Sequence, residues 1–333
     1  MAWTTLLPED CHGEVGRPDD LEEMRALIER CEIADAGSST ITVDELTTRM
    51  GEPGFDPDND VITVRSADGS LIAVGTFASR APHVHTWSEG FVDPDHVDRG
   101  IGSALLSWAG DRATAAIGRA PEGARVTMAV GAHDHNERAK RLFTLNLFTL
   151  ERYFLEMVID LDGPVTVQPV PDGITVRTIG ADEGLEGLAV AVADSFRDHF
   201  GYTDQPLESR IARWEQWRTS ELWDDDLVWI AENDGRIVAM NVCISSNGAK
   251  QHEGYVATLG VLPDWRGRGL ARALLTMSFA EFLRRGKSRV SLHVDADSIT
   301  GATRLYEGVG MREVERHVDF ERELRPGEDL VVR

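Results

Sequence analysis

The sequence is poor in cysteine and contains no long hydrophobic run. Its three cysteines, Cys11, Cys31 and Cys243, lie far apart, so neither a disulfide framework nor a cysteine-based metal site is expected. No stretch of about 18 consecutive apolar residues occurs, which predicts no membrane span. The N-terminus also lacks a basic region followed by an apolar run, so no secretory signal is expected. A reducing, cytoplasmic setting fits these features best.

Basic residues are scarce, since 34 lysines and arginines stand against 57 aspartates and glutamates and the formal net charge is −23. A surface of this charge repels the phosphates of nucleic acids and of anionic membranes. We therefore expect neither nucleic acid nor membrane as a partner, and a cationic substrate such as an amine is electrostatically favoured. An acidic surface that only maintains solubility is the alternative explanation.

The two halves of the chain repeat one order of motifs. Hydrophobic residues make up 42% of the 333 residues, enough for each half to bury its own core. Each half shows an apolar strand after a turn (68–77 and 233–242), a second strand, a glycine-rich turn, an amphipathic helix, a third strand, another helix and a closing strand. This period is far beyond that of solenoid repeats, so a duplicated domain is predicted.

A segment rich in proline and glycine separates the two repeats. Residues 163–173 contain three prolines and two glycines, which is typical of a linker. The sequence therefore predicts an N-terminal domain over 1–162, a linker over 163–173 and a C-terminal domain over 174–333.

A glycine turn at the start of a helix is the first motif that indicates chemistry. In the second half, residues 266–271 read RGRGLA directly after a strand. Glycine lets the backbone approach a ligand closely, and the free amides of a helix N-terminus bind phosphate groups. The third glycine of a dinucleotide-binding fingerprint and the Gly-Lys-Ser/Thr of a P-loop are both absent. A helix that merely begins at a tight turn is the alternative.

Together with a later motif, this turn resembles the GNAT acetyltransferase superfamily. Residues 302–311 read ATRLYEGVGM, which is similar to that family's A-x-x-L-Y-E-x-x-G motif. The resemblance is close over 174–325 and weaker over 20–160, and the tandem layout is similar to the mycothiol synthase group. It implies an α/β (α+β) fold of two tandem GNAT-type domains, each with a mixed, mostly antiparallel central sheet flanked by helices.

The resemblance also implies acetyl-CoA as co-substrate and a set of residues that bind it. The glycine turn would hold the pyrophosphate, and the preceding strand would pair with the pantetheine arm. An amide near Leu259 would polarise the thioester carbonyl, and Ser298 stands where the family often has asparagine. The predicted cofactor-binding residues are Leu259, Gly260, Val261, Arg266, Gly267, Arg268, Gly269, Leu270, Ala271 and Ser298.

The predicted catalytic residues follow from the same resemblance. Tyr306 resembles the general acid that protonates the leaving thiolate, with aromatic packing as its alternative role. Direct transfer also requires a base, because an ammonium has no lone pair with which to attack. The mycothiol synthase group has glutamate where this chain has Tyr255. Glu253, two residues earlier and therefore on the same strand face, is the predicted base, directly or through water; His252 and His293 are the alternatives.

The acceptor pocket is expected beside the first helix of the second half. The family commonly lines this pocket with the segment after that helix, which here contains Asp198 and His199; a capped helix end with a surface histidine is the alternative. These two residues and Tyr255 are the predicted substrate-binding residues. The expected acceptor is a primary amine of a small molecule. Amino sugars, polyamines, amino-acid derivatives, a cysteinyl sugar-inositol and a peptide N-terminus stay open.

The first half is predicted to have lost catalysis. Val97 replaces the usual arginine or glutamine, and acidic residues such as Asp98 crowd the place of the phosphates. Phe143 stands where Tyr306 stands in the second half, and a phenyl ring cannot donate a proton. We expect this half to be structural or regulatory, with CoA binding without turnover as one such role.

The sequence therefore predicts an acetyl-CoA-dependent N-acetyltransferase, a monomer or homodimer, with direct transfer in the C-terminal domain. The competing interpretation is an acyl-CoA-binding regulator without chemistry, which the intact Tyr306 disfavours. The segment His133-Asp134-His135 carries metal-ligating side chains, but no further ligands are evident at that spacing, so no metal site is predicted.

Overall fold

The structure, a computed structural model, describes residues 3–333 and divides into two compact units. Within the described residues, unit 1 comprises 3–152 with His317–Val331, and unit 2 comprises Tyr153–Arg316 with Val332–Arg333. None of the helices in the described residues combines the length and the hydrophobicity that a bilayer span requires.

Helices and strands follow one another in a similar order in the two repeats. The elements of the first repeat are β1 (Cys11–Val15), α1 (Leu21–Ala36), α2 (Val43–Met50), β2 (Val61–Ser66), β3 (Leu71–Ser79), β4 (His85–Val92), α3 (Ile101–Ala116), β5 (Val126–His133), α4 (Glu137–Leu145) and β6 (Thr149–Asp160). The elements of the second repeat are β7 (Thr175–Thr178), α5 (Glu186–Phe196), α6 (Leu207–Arg218), β8 (Val228–Asn233), β9 (Arg236–Ile244), β10 (Glu253–Val261), α7 (Leu270–Arg284), β11 (Arg289–Asp295), α8 (Ala302–Glu307) and β12 (Arg312–Arg325).

Each unit is built on a mixed, mostly antiparallel sheet flanked by helices. The strand order is β1-β2-β3-β4-β5-β12 in unit 1 and β7-β8-β9-β10-β11-β6 in unit 2. Neighbouring strands are antiparallel, except that β4 runs parallel to β5 and β10 runs parallel to β11. The predicted fold class is therefore confirmed.

The closing strands of the two repeats are exchanged between the sheets. Strand β6, at the end of the first repeat, pairs with β11, where Arg289 donates to Asp160 at 2.7 Å. Strand β12, at the end of the second repeat, pairs with β5, where Arg125 donates to Glu321 at 2.7 Å. The compact units therefore differ from the predicted boundaries 1–162 and 174–333, which stay a prediction about the sequence repeats. Residues 163–173, the predicted linker, form neither helix nor strand.

Helix α7 packs its apolar face on the sheet of unit 2. Leu275, Phe279 and Phe282 are almost completely buried, and burial of each such side chain contributes about 1.5–3 kcal/mol relative to an exposed position. Gly254 on β10 makes room for this packing, because a Cβ there would overlap the ring of Phe282. The packing fixes the N-terminus of α7 relative to β10.

Strand β10 contains an irregularity that interrupts the sheet. Its register against β9 shifts between Val256 and Thr258, so Ala257 is an extra residue whose backbone lies outside the regular ladder. On its other side, β10 pairs with β11 from Glu253 to Tyr255, and regular pairing ends there. The corresponding β4 of unit 1 pairs with β3 without a shift. The bulge therefore distinguishes β10 from its counterpart.

Candidate active site

The glycine turn of unit 2 presents open backbone at the N-terminus of α7. Gly267 and Gly269 have φ angles of +74° and +89°, a left-handed conformation that side chains disfavour. A Cβ at either glycine would meet nothing within 4 Å, so no protein atom covers the backbone on that side of either glycine. The first amides of a helix have no partner within the helix, and the helix dipole adds positive potential there. This turn therefore suits a phosphate group.

Arg266, predicted to bind the cofactor, is held by the protein itself. Its guanidinium donates to both carboxylate oxygens of Asp198, at 2.5 and 2.8 Å. It also donates to the carbonyl of Ser195 at 2.8 Å and to that of Val261 at 3.3 Å. Arg266 thus joins the end of α5 to the end of β10, and it positions the glycine turn that follows.

The two residues predicted to contact the substrate after α5 belong to the same cluster. The Arg266 guanidinium holds the pKa of Asp198 well below its usual range, so this carboxylate is ionised at neutral pH. The Nδ1 atom of His199 lies 2.9 Å from the Asp198 carboxylate, and its ring packs against Phe196. Burial lowers the pKa of His199 against the opposing effect of Asp198. Any substrate contact made by Asp198 would therefore be shared with Arg266.

Arg268 and Arg272 flank the turn without an acidic partner in the part of the chain that the structure describes. Arg268 stacks on Trp265, with its guanidinium carbon 4.5 Å from the ring centroid, and donates to the carbonyl of Asp264. The guanidinium of Arg272 lies near Gly308, where an added Cβ would be 2.9 Å from its Nη2 atom. These cations are unneutralised in a chain whose net charge is −23, and they make the turn locally positive.

Arg304 extends this positive region and was not among the predicted site residues. It lies on α8, is exposed, and has no carboxylate partner within residues 3–333. Because Gly308 at the end of α8 lies beside Arg272, Arg304 is one helical turn from that contact. Its position two residues before Tyr306 in the recognised motif was the signal that could have identified it.

The predicted pantetheine strand lies in the β9–β10 ladder. Leu259, Gly260 and Val261 pair with three consecutive residues of β9. Gly260 is buried, and a Cβ there would lie 2.6 Å from Met240 Sδ, so its lack of a side chain serves packing. Ala257 is exposed and lies at the bulge. The backbone at Ala257 therefore lies outside the regular pairing of the ladder, whereas Leu259 is paired with Asn241.

The other predicted cofactor residues lie at the starts of α7 and α8. Leu270 is buried in the core, and Ala271 follows it in the first turn of α7. Ser298 precedes α8, where its hydroxyl lies 3.0 Å from that of Thr300 and its amide donates to the Asp295 carbonyl at 3.2 Å. Ser298 therefore shapes the loop that leads into α8.

Tyr306 is buried on α8 in the core of unit 2. Its relative exposure is 7%, and burial raises the pKa of its hydroxyl to about 12. The hydroxyl makes no hydrogen bond to the described residues. A phenol in this setting stays protonated at neutral pH and has a proton to give.

Glu253, the predicted base, is enclosed by polar side chains. It is 2% exposed, and one of its carboxylate oxygens accepts from Asn247 Nδ2 at 2.7 Å and from Ser291 Oγ at 2.5 Å. Asn247 also donates to Ser291 at 3.1 Å. These bonds engage one carboxylate oxygen, and at 2% exposure Glu253 offers little surface to an incoming amine.

Tyr255 and His293 form an accessible pair on the same strands. The Tyr255 hydroxyl lies 3.0 Å from His293 Nδ1, and His293 is exposed. Tyr255 is two residues beyond Glu253, so both lie on one face of β10. His252, the other alternative, is exposed just before β10. The structure thus brings one predicted substrate residue together with one predicted alternative base.

The matching turn of unit 1 has its charges neutralised. Asp98, at a φ of +59°, pairs with Arg138 at 3.3 Å. Arg99 pairs with Asp10 at 2.6 Å. Phe143, at the position of Tyr306, is buried. These contacts leave fewer free cations for a phosphate than the turn of unit 2 has.

The second repeat matches a known protein family. The profile of the Acetyltransferase (GNAT) family matches residues 189–311, which include the glycine turn and Tyr306. The mycothiol acetyltransferase of Thermobispora bispora is 30% identical over 297 residues, which cover 88% of this chain and 92% of that protein.

Two solved structures share the fold over nearly the whole chain. A GCN5-related N-acetyltransferase from Sphaerobacter thermophilus is 30% identical with a TM-score of 0.79, covering 97% of this chain and 98% of its own. A tandem GNAT protein from the clavulanic acid biosynthesis pathway has a TM-score of 0.71 at 16% identity, covering 96% and 100%. The second likeness concerns the fold alone.

Replacing Asp198 by asparagine tests whether the Arg266 pair stabilises unit 2. Because the pKa of Asp198 is depressed in the folded state, its stabilisation is present above the unfolded value of about 3.9 and is lost as the pH falls toward the folded value. In urea denaturation, the loss of unfolding free energy in Asp198→Asn should therefore be larger at about pH 7 than at about pH 3. Asp264→Asn, at an exposed carboxylate in the adjacent turn, is the control. A loss that does not change with pH would contradict the charge-based role.

Proposed function

The chain belongs to the GNAT acetyltransferase family and is an acetyltransferase, and from this premise we propose that unit 2 transfers the acetyl group of acetyl-CoA to a primary amine of a small molecule. The observation that carries the proposal is the open glycine turn with unpaired arginines beside it. The buried, protonated Tyr306 in the same unit supplies the acid that the reaction needs.

The glycine turn and its arginines would hold the pyrophosphate of acetyl-CoA. Amides at the start of α7 donate to phosphate oxygens, and arginine forms charge-assisted bonds to them. Arg268 and Arg272 are the nearest such cations, with Arg304 beyond them. Arg266 contributes indirectly, by holding the turn in place through Asp198.

Transfer of the acetyl group forms one carbon–nitrogen bond and breaks one carbon–sulfur bond. The neutral amine nitrogen attacks the thioester carbonyl carbon, and the carbonyl oxygen becomes an oxyanion. We assign the stabilisation of that charge to a backbone amide at the bulge near Ala257. Collapse breaks the carbon–sulfur bond, and the Tyr306 hydroxyl protonates the departing thiolate. The attacking nitrogen, which is cationic after the attack, releases its extra proton to solvent to give the neutral amide, and Tyr306 regains a proton from solvent.

The amine must first lose a proton, and we assign this step to the accessible pair of Tyr255 and His293. With the tyrosine hydroxyl donating to His293 Nδ1, the tyrosine oxygen can take the ammonium proton as its own proton moves to the imidazole. Glu253 then holds Asn247 and Ser291 in place. The competing assignment is Glu253 as the base, the role predicted for it from the sequence.

The acceptor is proposed at the level of chemical class. Relatives at 30% identity carry the name mycothiol acetyltransferase, which supports a small-molecule acceptor. The acidic chain favours a cationic amine over an anionic one. We propose the cytoplasm as the setting.

Replacing Tyr306 by phenylalanine tests the acid. The variant keeps the ring that fills the core and removes the proton donor, so kcat should fall by about 10²–10⁴-fold. The Kd for acetyl-CoA should stay within about twofold, because the hydroxyl acts on the thiolate that forms later. CoA release with a panel of primary amines gives kcat, and calorimetry gives the Kd.

Tyr202→Phe is the matched control, since Tyr202 lies in the same unit with its hydroxyl bonded to Arg210 and Asp204. An unchanged kcat in Tyr306→Phe would remove Tyr306 from the proton transfer. A wild-type protein that binds acetyl-CoA but releases no CoA with any amine would favour the regulator over the enzyme.

Two further variants distinguish the proposed base from its competitor. His293→Gln should abolish the acidic limb of the pH profile of kcat/KM, because that limb reports ionisation of the base in the free enzyme. Glu253→Gln should keep the limb and lower the thermal stability, since it disturbs a buried hydrogen-bonded cluster. The reverse pattern would assign the base to Glu253.

A further inference from the structure

Unit 1 contains a cleft of about 1070 Å³ at its own glycine turn. The regular pairing of β4 with β5 ends at Ser88 and Val130, and residues that follow on both strands line the cleft. A cleft of this size can hold a small molecule. The transfer proposed for unit 2 uses none of its residues.

Three neighbouring strands bring an indole ring and a carboxyl group to one wall of this cleft. Trp87 on β4 pairs with Ala129 of β5, and Asp319 on β12 pairs with Gly131 of β5. Ala129 and Gly131 are two residues apart and therefore share a face of the sheet. Trp87 and Asp319 consequently lie on that same face, and both line the cleft.

The missing side chain of Gly131 lets these two groups lie next to each other. A Cβ on Gly131 would be 3.0 Å from Asp319 Oδ1 and 3.1 Å from Trp87 Cη2. The carboxyl oxygen and the ring atom are therefore no farther apart than the sum of these two distances. Because the attraction between a cation and an aromatic ring extends to about 6 Å from the ring centroid, one cation can interact with both groups.

The Asp319 side chain makes no hydrogen bond or ion pair with the described residues. Burial raises its pKa to about 7, which reflects lost hydration without a compensating contact. A bound cation would supply that contact and favour the ionised carboxylate. The other acidic residues that line the cleft already accept a hydrogen bond or pair with a cation: Glu32, Asp35, Glu89, Asp98 and Glu137.

The ring of Trp87 is likewise available to a ligand. It is half-buried, and within residues 3–333 no arginine or lysine stacks on it. The net charge of −23 also attracts small cations toward the chain. The cleft therefore offers a cation an unpaired carboxyl group and an uncovered aromatic ring at one place.

We propose that Asp319 and Trp87 bind a small organic ammonium ion in the cleft of unit 1. The carboxylate accepts charge-assisted hydrogen bonds from the ammonium group, and the indole ring attracts the same charge. Strand β12, which carries Asp319, comes from the second sequence repeat, so neither repeat alone contains the site. The site uses no phosphate group and no residue of unit 2, so it does not depend on the function proposed above.

NMR titration of the full chain, carrying isotope-labelled tryptophan, tests the site at constant ionic strength. The probe is butylamine, and the Trp87 indole resonance is assigned by its loss in Trp87→Phe. Butylamine should shift that resonance along a saturable curve. Butanol, which is neutral, and butyrate, which is anionic, should not, even though Arg141 also lines the cleft.

Two variants test the carboxyl group. Asp319→Asn keeps the shape of the side chain and removes its charge, so it should weaken butylamine binding by at least about tenfold. Asp98→Asn is the matched control, because Asp98 lines the same cleft but is paired with Arg138. Its affinity should stay within about twofold of the wild type, since salt screens a distant exposed charge.

The comparison of butylamine with butanol needs no variant, and the Tm of Asp319→Asn shows whether that variant is folded. Absence of a saturable shift of Trp87 with butylamine would overturn the proposal. An equal shift with butanol or butyrate would do the same, as would equal affinity for butylamine in folded Asp319→Asn and in the wild type.

Discussion

The guanidinium of Arg266 ties together three segments of unit 2, and the candidate active site depends on that connection. It bonds the carboxylate of Asp198 and the carbonyls of Ser195 and Val261, so it links the end of α5, the end of β10 and the glycine turn. A charge-assisted, bidentate pair is among the stronger hydrogen-bonded contacts. The turn can therefore keep its backbone open, because its position does not rely on side chains that would fill the site.

The charges around the two glycine turns are used in different ways. In unit 2, Arg266 before the turn is paired with Asp198, while Arg268, Arg272 and Arg304 have no carboxylate partner among the described residues. In unit 1 the arginines beside the turn are paired with carboxylates: Arg99 with Asp10, and Arg138 with Asp98. The same turn therefore has unpaired cations beside it in unit 2 and paired ones in unit 1.

Much of this arrangement could be predicted from the sequence, because local patterns encode it. The glycine turn, the helix that follows and the Tyr306 motif are contiguous segments, and the predicted fold class is confirmed. The exchange of β6 and β12 could not be predicted, since both repeats supply an equivalent closing strand and no local pattern says which sheet receives it. The bulge at Ala257 depends on pairing with β9, and the enclosure of Glu253 depends on Asn247 and Ser291, which lie elsewhere in the sequence.

Calorimetric titration of the protein with acetyl-CoA tests the central claim most directly, namely that the open turn and free arginines of unit 2 form the cofactor site. The account predicts saturable binding that Arg272→Gln weakens by about tenfold or more, in line with about 1.5–3 kcal/mol for a bond to a charged group. Arg284→Gln, at an arginine of the same helix that is paired with Glu281, should leave the affinity unchanged. Undiminished affinity in Arg272→Gln, together with loss of binding on changing Gly100 in unit 1, would contradict it.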